Sequence, residues 1–289
     1  MKRTPRELFI EFRLWTESHK RIAYPLFIGV ALILAYLVYR LVITRLLNIH
    51  ISYNFDFSVF LRQRLTDKST YLSLLLWGFL TTLRISAISI VLAMVLGTII
   101  AVLKLSKIKV LVFLSSAYIE FFRNTPLLIQ IFIWYFGSDP FLPQVVKDWI
   151  YSQNIEFAYG VIALSTYTAA FIAEEIRAGI QSIPREQMEA ARSQGFTFLE
   201  SMRYVILPQA FRIVVPPLIN QSLNLVKNSS LVMAIGVVEL THVARIIEAE
   251  TSRVFEAFSM VTLIYLALSL VISFAINQYN RRFLRYIKY

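Results

Sequence analysis

Polar side chains within an apolar stretch of the chain are the first candidates for chemistry. Within residues 209–236 they recur at helical spacing: Asn220, Asn224, Lys227, Asn228 and Ser229. Polar groups are costly in a membrane-spanning helix, so they usually face the interior of a helix bundle or a water-filled path. Lysine and hydroxyl groups donate hydrogen bonds, and amide oxygens accept them. The set could therefore line a passage for a polar solute, and a hydrogen-bond network between helices is the alternative.

Two pairs, each of one acidic and one basic residue, are the second group of candidates. Their members stand three residues apart, which places each pair on one face of a helix: Glu120 with Arg123, and Glu174 with Arg177. Pro126, which follows the first pair, interrupts helical hydrogen bonding and is expected to bend the chain there. Each pair could hold helices together or take part in gating, and both interpretations stay open.

Catalytic and metal-binding patterns are missing from the sequence. Cysteine is absent, and the three histidines form no His-x-x-x-His pair. The chain also has no GxxxxGK[ST] phosphate loop, so we do not expect it to hydrolyse ATP by itself. We predict no catalytic residue, no metal site and no cofactor.

The elements that must position these residues are membrane-spanning helices. Of the 289 residues, 57% are hydrophobic and only 16% are charged, against about 25% charged in a typical soluble domain. About 20 apolar residues cross the hydrocarbon core. Six stretches qualify: 25–47, 77–103, 111–136, 157–180, 209–236 and 257–279. We predict an all-α, polytopic membrane protein with about six transmembrane helices.

Basic residues indicate how these helices are oriented. With a cytoplasmic amino terminus, 18 Lys and Arg fall on the inner side and 6 on the outer side, as the positive-inside rule expects. The net charge of +11 therefore does not call for a nucleic-acid partner. The predicted segments are a cytoplasmic tail 1–24, an extra first helix 25–47, an external segment 48–76 with an interfacial helix, a transmembrane core 77–280, an inner loop 181–208 and a cytoplasmic tail 281–289.

The inner loop is predicted to contain two short helices. The first ends at Gly195, which suits the left-handed position after the last turn of a helix. Thr197 and Glu200 then form a capping box that starts the second helix. That helix is expected to end near Leu207, because Pro208 disfavours a helical conformation in the residue before it.

Spacing within this loop resembles the Glu-Ala-Ala loop of permease subunits of binding-protein-dependent ABC importers. The matching residues are Glu189, Ala190, Ala191, Gly195, Leu207 and Pro208. The segments 120–130, 173–180 and 225–231 are similar to the polar amino-acid branch of that family, although Asn228 stands where the branch commonly has aspartate. The resemblance covers about residues 77–280.

The resemblance implies a fold, a function and a set of partners. The fold would be the MetI-like, type I permease fold, in which the Glu-Ala-Ala helices dock into a separate ABC ATP-binding subunit. An extracytoplasmic solute-binding protein would deliver a polar amino acid such as glutamate or glutamine, and a second permease subunit, like or unlike, would complete the path. The complex would lie in the lipid bilayer of the bacterial cytoplasmic (inner) membrane and work by alternating access.

Two other classes of protein are alternatives to this interpretation. An ion-coupled secondary amino-acid carrier is the alternative, and it would be favoured by inverted repeats with acidic residues at mid-membrane. In this chain the acidic residues lie mostly near the ends of spans or in loops. A membrane-embedded enzyme is third, and it lacks a recognisable Ser/His or metal constellation.

Overall fold

The computed structural model describes residues 32–41, 53–64, 66–152 and 154–283. The chain forms two compact units, Met1–Phe55 and Asp56–Tyr289. The described part of the first unit contains a helix, α1, over residues 32–39. Most of the predicted first span 25–47 and of the tails 1–24 and 281–289 lies outside the described residues.

The second unit is built of helices throughout its described part. In chain order they are α2 (Tyr71–Lys104), α3 (Lys109–Asn124), α4 (Leu127–Phe132), α5 (Gln144–Ser152), α6 (Ile155–Gln181), α7 (Arg185–Ser193), α8 (Phe198–Ser201), α9 (Leu207–Asn228), α10 (Leu240–Thr251) and α11 (Val254–Phe283). Short 3₁₀ segments cover Phe57–Leu61, Asp139–Phe141 and Ser229–Ile235, and π-helical turns cover Ile133–Gly137 and Met202–Ile206.

Four of the described helices are long and apolar enough to cross a membrane: Tyr71–Lys104, Ile155–Gln181, Phe198–Ile235 and Val254–Phe274. The all-α membrane fold is thereby confirmed, and the number six stays a prediction. The first of these helices begins at Tyr71, six residues before the predicted 77, because the Thr70 hydroxyl accepts from the amide of Ser73 at 3.2 Å and caps it.

The predicted third span, 111–136, is not one helix. The chain breaks at Thr125 and Pro126, which separate α3 from α4. Proline lacks an amide hydrogen and disfavours a helical residue before it, so the break falls where the sequence places Pro126. The Gln130 side-chain amide donates to the carbonyl oxygens of Phe122 at 3.0 Å and Thr125 at 3.2 Å, which satisfies acceptors that the break leaves free.

The helices α2 and α6 run parallel at the centre of the unit. Ser165 of α6 donates to the carbonyl of Ser89 on α2 at 3.4 Å, and further along both helices a Cβ on Gly97 would lie 2.9 Å from the carbonyl oxygen of Ala169. That close approach requires glycine at position 97. The polar helix α9 runs the other way along α6, and a Cβ on Gly179 near the end of α6 would meet Val214 near the start of α9.

One end of the unit is held by contacts between residues far apart in sequence. The Arg64 guanidinium donates to both carboxylate oxygens of Glu250, at 3.2 and 2.7 Å, and the Tyr71 hydroxyl donates to the same carboxylate at 3.0 Å. The Asp56 amide donates to Glu256 at 2.8 Å. Residues 56–64 of the predicted external segment 48–76 therefore pack on α10 and α11. They contain the 3₁₀ turn Phe57–Leu61 in place of the predicted interfacial helix, and α2 already begins at Tyr71.

A fully buried carboxylate begins α10 at the same end. Glu239 accepts from the amides of Thr241 and His242, each at 2.9 Å, and from the Tyr265 hydroxyl at 2.8 Å. Burial raises the pKa of the Glu239 carboxyl, and these hydrogen bonds oppose that shift. The side chain thus joins α10 to α11.

Candidate functional site: the coupling loop and a polar cavity

The loop between α6 and α9, residues 181–208, ends its first helix in a left-handed turn. Gly195 has φ +95°, its amide donates to the carbonyl of Arg192 at 3.0 Å, and the Phe196 amide donates to Ala191 at 3.3 Å. These two bonds form the Schellman motif, in which a glycine closes the helix. The predicted conformation of Gly195 is confirmed.

A capping box starts the second helix of the loop. The Glu200 amide donates to the Thr197 hydroxyl oxygen at 3.3 Å, and the Thr197 amide donates to the Glu200 carboxylate at 2.8 Å. The capping box predicted from the sequence is confirmed.

The expected end of this second helix near Leu207 is wrong. The helix passes through a π-helical turn, Met202–Ile206, and continues without a break into α9. In that turn the Leu207 amide bonds to the carbonyl of Met202, five residues back. The wider turn accommodates Pro208, whose ring would clash with a carbonyl in a regular α-helix. The loop and α9 therefore form one helical rod, Phe198–Ile235.

The surface of the loop differs in part from the expected docking surface. Glu189 and Ala190 are exposed, whereas Ala191 is buried within its own chain. Phe198 and Leu199, which sequence reasoning missed, are 55% and 78% exposed. Exposed apolar side chains mark surfaces that contact another protein or a membrane. Two adjacent apolar residues directly after a helix cap were the available signal.

The predicted pair of Glu174 and Arg177 is present and has a third member. The Arg177 guanidinium donates to Glu174 at 2.9 Å, and the Lys104 ammonium lies 3.3 Å from the same carboxylate. This cluster joins the last turn of α2 to the end of α6, close to where the loop begins. Its role, structural or gating, stays a prediction.

The predicted pair of Glu120 and Arg123 is wrong. Glu120 accepts from the Asn124 side-chain amide at 2.8 Å, and the Arg123 guanidinium lies 5.5 Å from the centre of the Phe171 ring. A guanidinium stacks well on an aromatic face, and α6 supplies that face. Helical spacing alone could not show that a ring on another helix would compete for Arg123.

A cavity of about 240 Å³ opens between α6 and α9. It is lined by Tyr167, Thr168, Phe171, Gln221, Asn224, Leu225, Lys227 and Asn228. The structure thus brings together three of the five polar residues predicted for the solute path. Sequence reasoning missed the residues of α6 and Gln221, because the sequence does not show which face of α6 meets α9.

The other two predicted path residues lie outside this lining. Ser229 is fully buried, and its hydroxyl donates to the carbonyl of Val226 at 2.8 Å. Asn220 is exposed one turn before Asn224 and does not reach the cavity. Ser229 turns inward because α9 ends at Asn228 and the chain tightens into the 3₁₀ segment. Proline usually interrupts a helix, yet Pro216 and Pro217 lie inside the continuous helix α9.

Comparison with known proteins identifies the family. Residues 93–285 match the family described as binding-protein-dependent transport system inner membrane component. The chain is 44% identical over 206 residues to the probable glutamine ABC transporter permease protein GlnM of Bacillus subtilis, which covers 71% of this chain and 91% of GlnM. It is 33% identical over 235 residues to the glutamate/aspartate import permease protein GltJ of Escherichia coli K12, covering 80% of this chain and 96% of GltJ.

Solved structures give the same result. A crystal structure of an amino acid ABC transporter with histidines aligns with a TM-score of 0.66 and 37% identity, over 73% of this chain and 95% of that chain. The MetNI methionine ABC transporter in an inward-facing conformation aligns with a TM-score of 0.61 and 23% identity, over 73% and 96%, and shows the shared fold. The chain belongs to the inner-membrane components of binding-protein-dependent transport systems, which confirms its resemblance to ABC-importer permeases.

Proposed function

We propose that this chain is the transmembrane permease subunit of an ATP-driven importer for a polar amino acid. It provides the path and carries no catalytic residue, while a separate ATP-binding subunit hydrolyses ATP. A solute-binding protein delivers the amino acid from outside the cytoplasmic membrane, and a second permease subunit, identical or unlike, completes the path. Both chain termini lie in the cytoplasm.

The observation that carries this proposal is the connection between the loop and the cavity. Both walls of the cavity are attached to the loop, since α6 runs directly into it and α9 continues out of it without a break. From Phe198 to Lys227 the rod is about 45 Å long at 1.5 Å per residue. A rigid rod of that length transmits a displacement of its exposed end to the cavity-lining residues at the other. Alternating access needs this kind of mechanical link.

Docking of the ATP-binding subunit is assigned to the exposed surface of the loop. Glu189 and Ala190 on α7 and Phe198 and Leu199 on α8 share that surface, with the angle between the helices fixed by Gly195. The charge and the small side chain on α7 suit a close approach, and the two apolar side chains supply buried area for an interface. Within the described residues, none of these four side chains forms a hydrogen bond or an ion pair.

The solute class is supported by the relatives and by the cavity lining. The two relatives described above are named for glutamine and for glutamate/aspartate. An amino acid carries a carboxylate and an ammonium group, so its path needs both donors and acceptors. The cavity offers the amides of Gln221, Asn224 and Asn228 and the Lys227 ammonium.

Reconstitution tests this function. The chain, reconstituted with a cognate ATP-binding subunit and binding protein, should take up labelled glutamate or glutamine into proteoliposomes only when ATP is present inside. A substitution in the Walker motif of the ATP-binding subunit that prevents ATP hydrolysis should abolish uptake. Uptake that needs no ATP and is abolished by a protonophore would instead establish an ion-coupled carrier.

Reporter fusions test the proposed orientation. Fusions after residues 106, 195 and 285 should report the cytoplasm, and fusions after 148 and 250 should report the outside. A cytoplasmic signal after residue 250 would place the α10 end on the wrong side and would contradict the assignment of the loop to the ATP-binding subunit.

A further inference from the structure

The side chains that line the polar cavity carry positive charge and no negative charge. Of the eight side chains that line it, Lys227 is the only charged one. A second cavity, of about 310 Å³, lies on the other side of the same lysine and is lined by Lys227, Ser230, Thr241, Phe258, Val261, Thr262 and Tyr265. No acidic side chain lines either cavity. The Lys227 side chain is exposed between them.

Within the described residues, no carboxylate forms an ion pair with Lys227. Two acidic side chains on the packed helices accept hydrogen bonds from other groups. Glu239 accepts the Tyr265 hydroxyl and two amides, and Glu175 accepts Gln221 at 3.5 Å. The Arg123 guanidinium lies over the Phe171 ring, 5.5 Å from its centre. In the part of the chain that the structure describes, Lys227 is therefore left without an ion-pair partner.

An uncompensated cation beside a small cavity in a membrane protein selects the charge of what enters. A solute with net negative charge neutralises it, a neutral zwitterion leaves it unchanged, and a cationic solute is repelled. We propose that Lys227 makes this permease selective for amino acids with a second carboxylate, the dicarboxylic class, over neutral and basic amino acids. This inference rests on the proposed function and names its solute class.

The rest of the lining fits such a solute. The amides of Gln221, Asn224 and Asn228 can hold the α-carboxylate and the ammonium group, which leaves Lys227 for the second carboxylate. The rings of Tyr167 and Phe171, 5.0 Å apart, form an apolar wall, and an aromatic face tolerates an ammonium group. Because the Asn228 side chain is uncharged, it leaves the positive charge of Lys227 in place. A carboxylate at position 228 would face the same cavity and cancel that charge.

The test measures binding at the permease itself, so that the binding protein does not impose its own preference. The purified complex with the ATP-binding subunit, in nanodiscs, is incubated with labelled L-glutamate and increasing unlabelled L-glutamate, L-glutamine or L-arginine. We expect L-glutamate to compete at a concentration on the order of tenfold lower than L-glutamine, and L-arginine to compete least.

Three variants separate the role of the charge from a structural role. Lys227→Met should weaken L-glutamate binding on the order of tenfold or more and change L-glutamine binding less than about threefold. Lys227→Arg should keep the preference for L-glutamate. Asn228→Asp should weaken L-glutamate binding in the same direction as Lys227→Met. Arg245→Met, which removes an exposed cation at the other end, is the control and should change neither.

The outcomes distinguish this inference from the proposed function. If the wild-type complex takes up amino acids but binds L-glutamine as tightly as L-glutamate, or if Lys227→Met weakens both equally, the selectivity inference is wrong and the transport function stands. If Lys227→Met fails to accumulate, Asn228→Asp alone decides, since it adds no bulk. If the wild-type complex neither binds nor takes up any amino acid, the proposed function fails and the inference fails with it.

Discussion

The two ends of the helical unit are stabilised by opposite kinds of contact. In the loop end, residues 181–208, the decisive hydrogen bonds join residues three to five apart, such as Thr197 with Glu200. At the α10 end they join Arg64 to Glu250, 186 residues apart, and Asp56 to Glu256, 200 residues apart. A part that moves as a unit needs its own internal structure, whereas a part that holds helices together needs contacts between them. The loop end therefore has the internal structure that a moving part would need, and the contacts at the α10 end form a clamp between segments that are far apart in sequence.

The largest expected effect breaks the loop end at Gly195. Gly195→Val forces a β-branched residue to φ +95°, which costs at least about 1–2 kcal/mol, or leaves the Schellman turn. Since no atom lies within 4 Å of a Cβ at this position, backbone conformation alone is tested. We expect uptake and co-purification with the ATP-binding subunit to fall about tenfold or more, because α7 would be misdirected.

Gly195→Asn is the matched control for this change, since asparagine tolerates the left-handed region better than other residues with a Cβ. It should retain most of the uptake, and the melting temperature of both variants should stay near that of the wild type. Equal loss in the two variants would mean that the left-handed turn is not what positions α7.

The second effect breaks the clamp at the other end. Arg64→Ala removes two hydrogen bonds to Glu250 and should lower stability by about 1 kcal/mol, which calorimetry would detect as a melting temperature a few degrees lower. Co-purification with the ATP-binding subunit should not change. Arg245→Ala removes a similar but looser pair, 3.6 Å from Glu248 and 64% exposed, and should have no measurable effect. A loss of co-purification in Arg64→Ala would contradict the separation of the two ends.

The same contrast explains how much of the structure could be predicted from the sequence. The turn at Gly195 and the capping box follow from the preferences of neighbouring residues, so the sequence predicts them correctly. The end of the second helix at Pro208 is also a local rule, yet it is wrong, because a π-helical turn relieves the clash that the rule assumes. Local rules predict where strain arises, and they leave open how the chain resolves it.

The cavity and the clamp depend on which helix faces meet. Lys227 and Asn228 could be predicted as polar residues in an apolar span, but their partners Tyr167 and Phe171 belong to another helix. Arg123 lies over Phe171 instead of pairing with Glu120 for the same reason. The spacing of residues within one helix gives its polar face and carries no information about the face of its neighbour, so these contacts appear only in the folded chain.

A third prediction sharpens the view of the loop as a self-contained part. Thr197→Ala removes the hydroxyl that caps α8, which costs about 1 kcal/mol locally. The rod that starts at Phe198 should fray at its first turn, so uptake should fall about two- to threefold while the melting temperature of the complex stays unchanged. Thr197→Ser keeps the cap and should behave as wild type. A lower melting temperature in Thr197→Ala would show that the loop contributes to global stability after all.

The smallest expected effect is a difference in acid sensitivity at the clamp. The hydrogen bond from Arg64, with that from Tyr71, holds the pKa of Glu250 below the ordinary value of 4.5. A carboxyl whose pKa is lower in the folded state stabilises the fold at pH values above its ordinary pKa, and this contribution is lost as the pH falls through the lowered pKa. The melting temperature of the wild type should therefore decline as the pH is lowered from 6 to below 4.5. Glu250→Gln should start from a lower melting temperature and show a shallower decline.

The buried carboxylate Glu239 should have the opposite effect. Burial raises the pKa of Glu239, so protonation of this carboxylate on acidification relieves an unfavourable buried charge and opposes the decline in melting temperature. Glu239→Gln should then make the decline steeper. Identical pH profiles of the melting temperature in the wild type, Glu250→Gln and Glu239→Gln would show that neither carboxylate contributes to the acid sensitivity of the clamp.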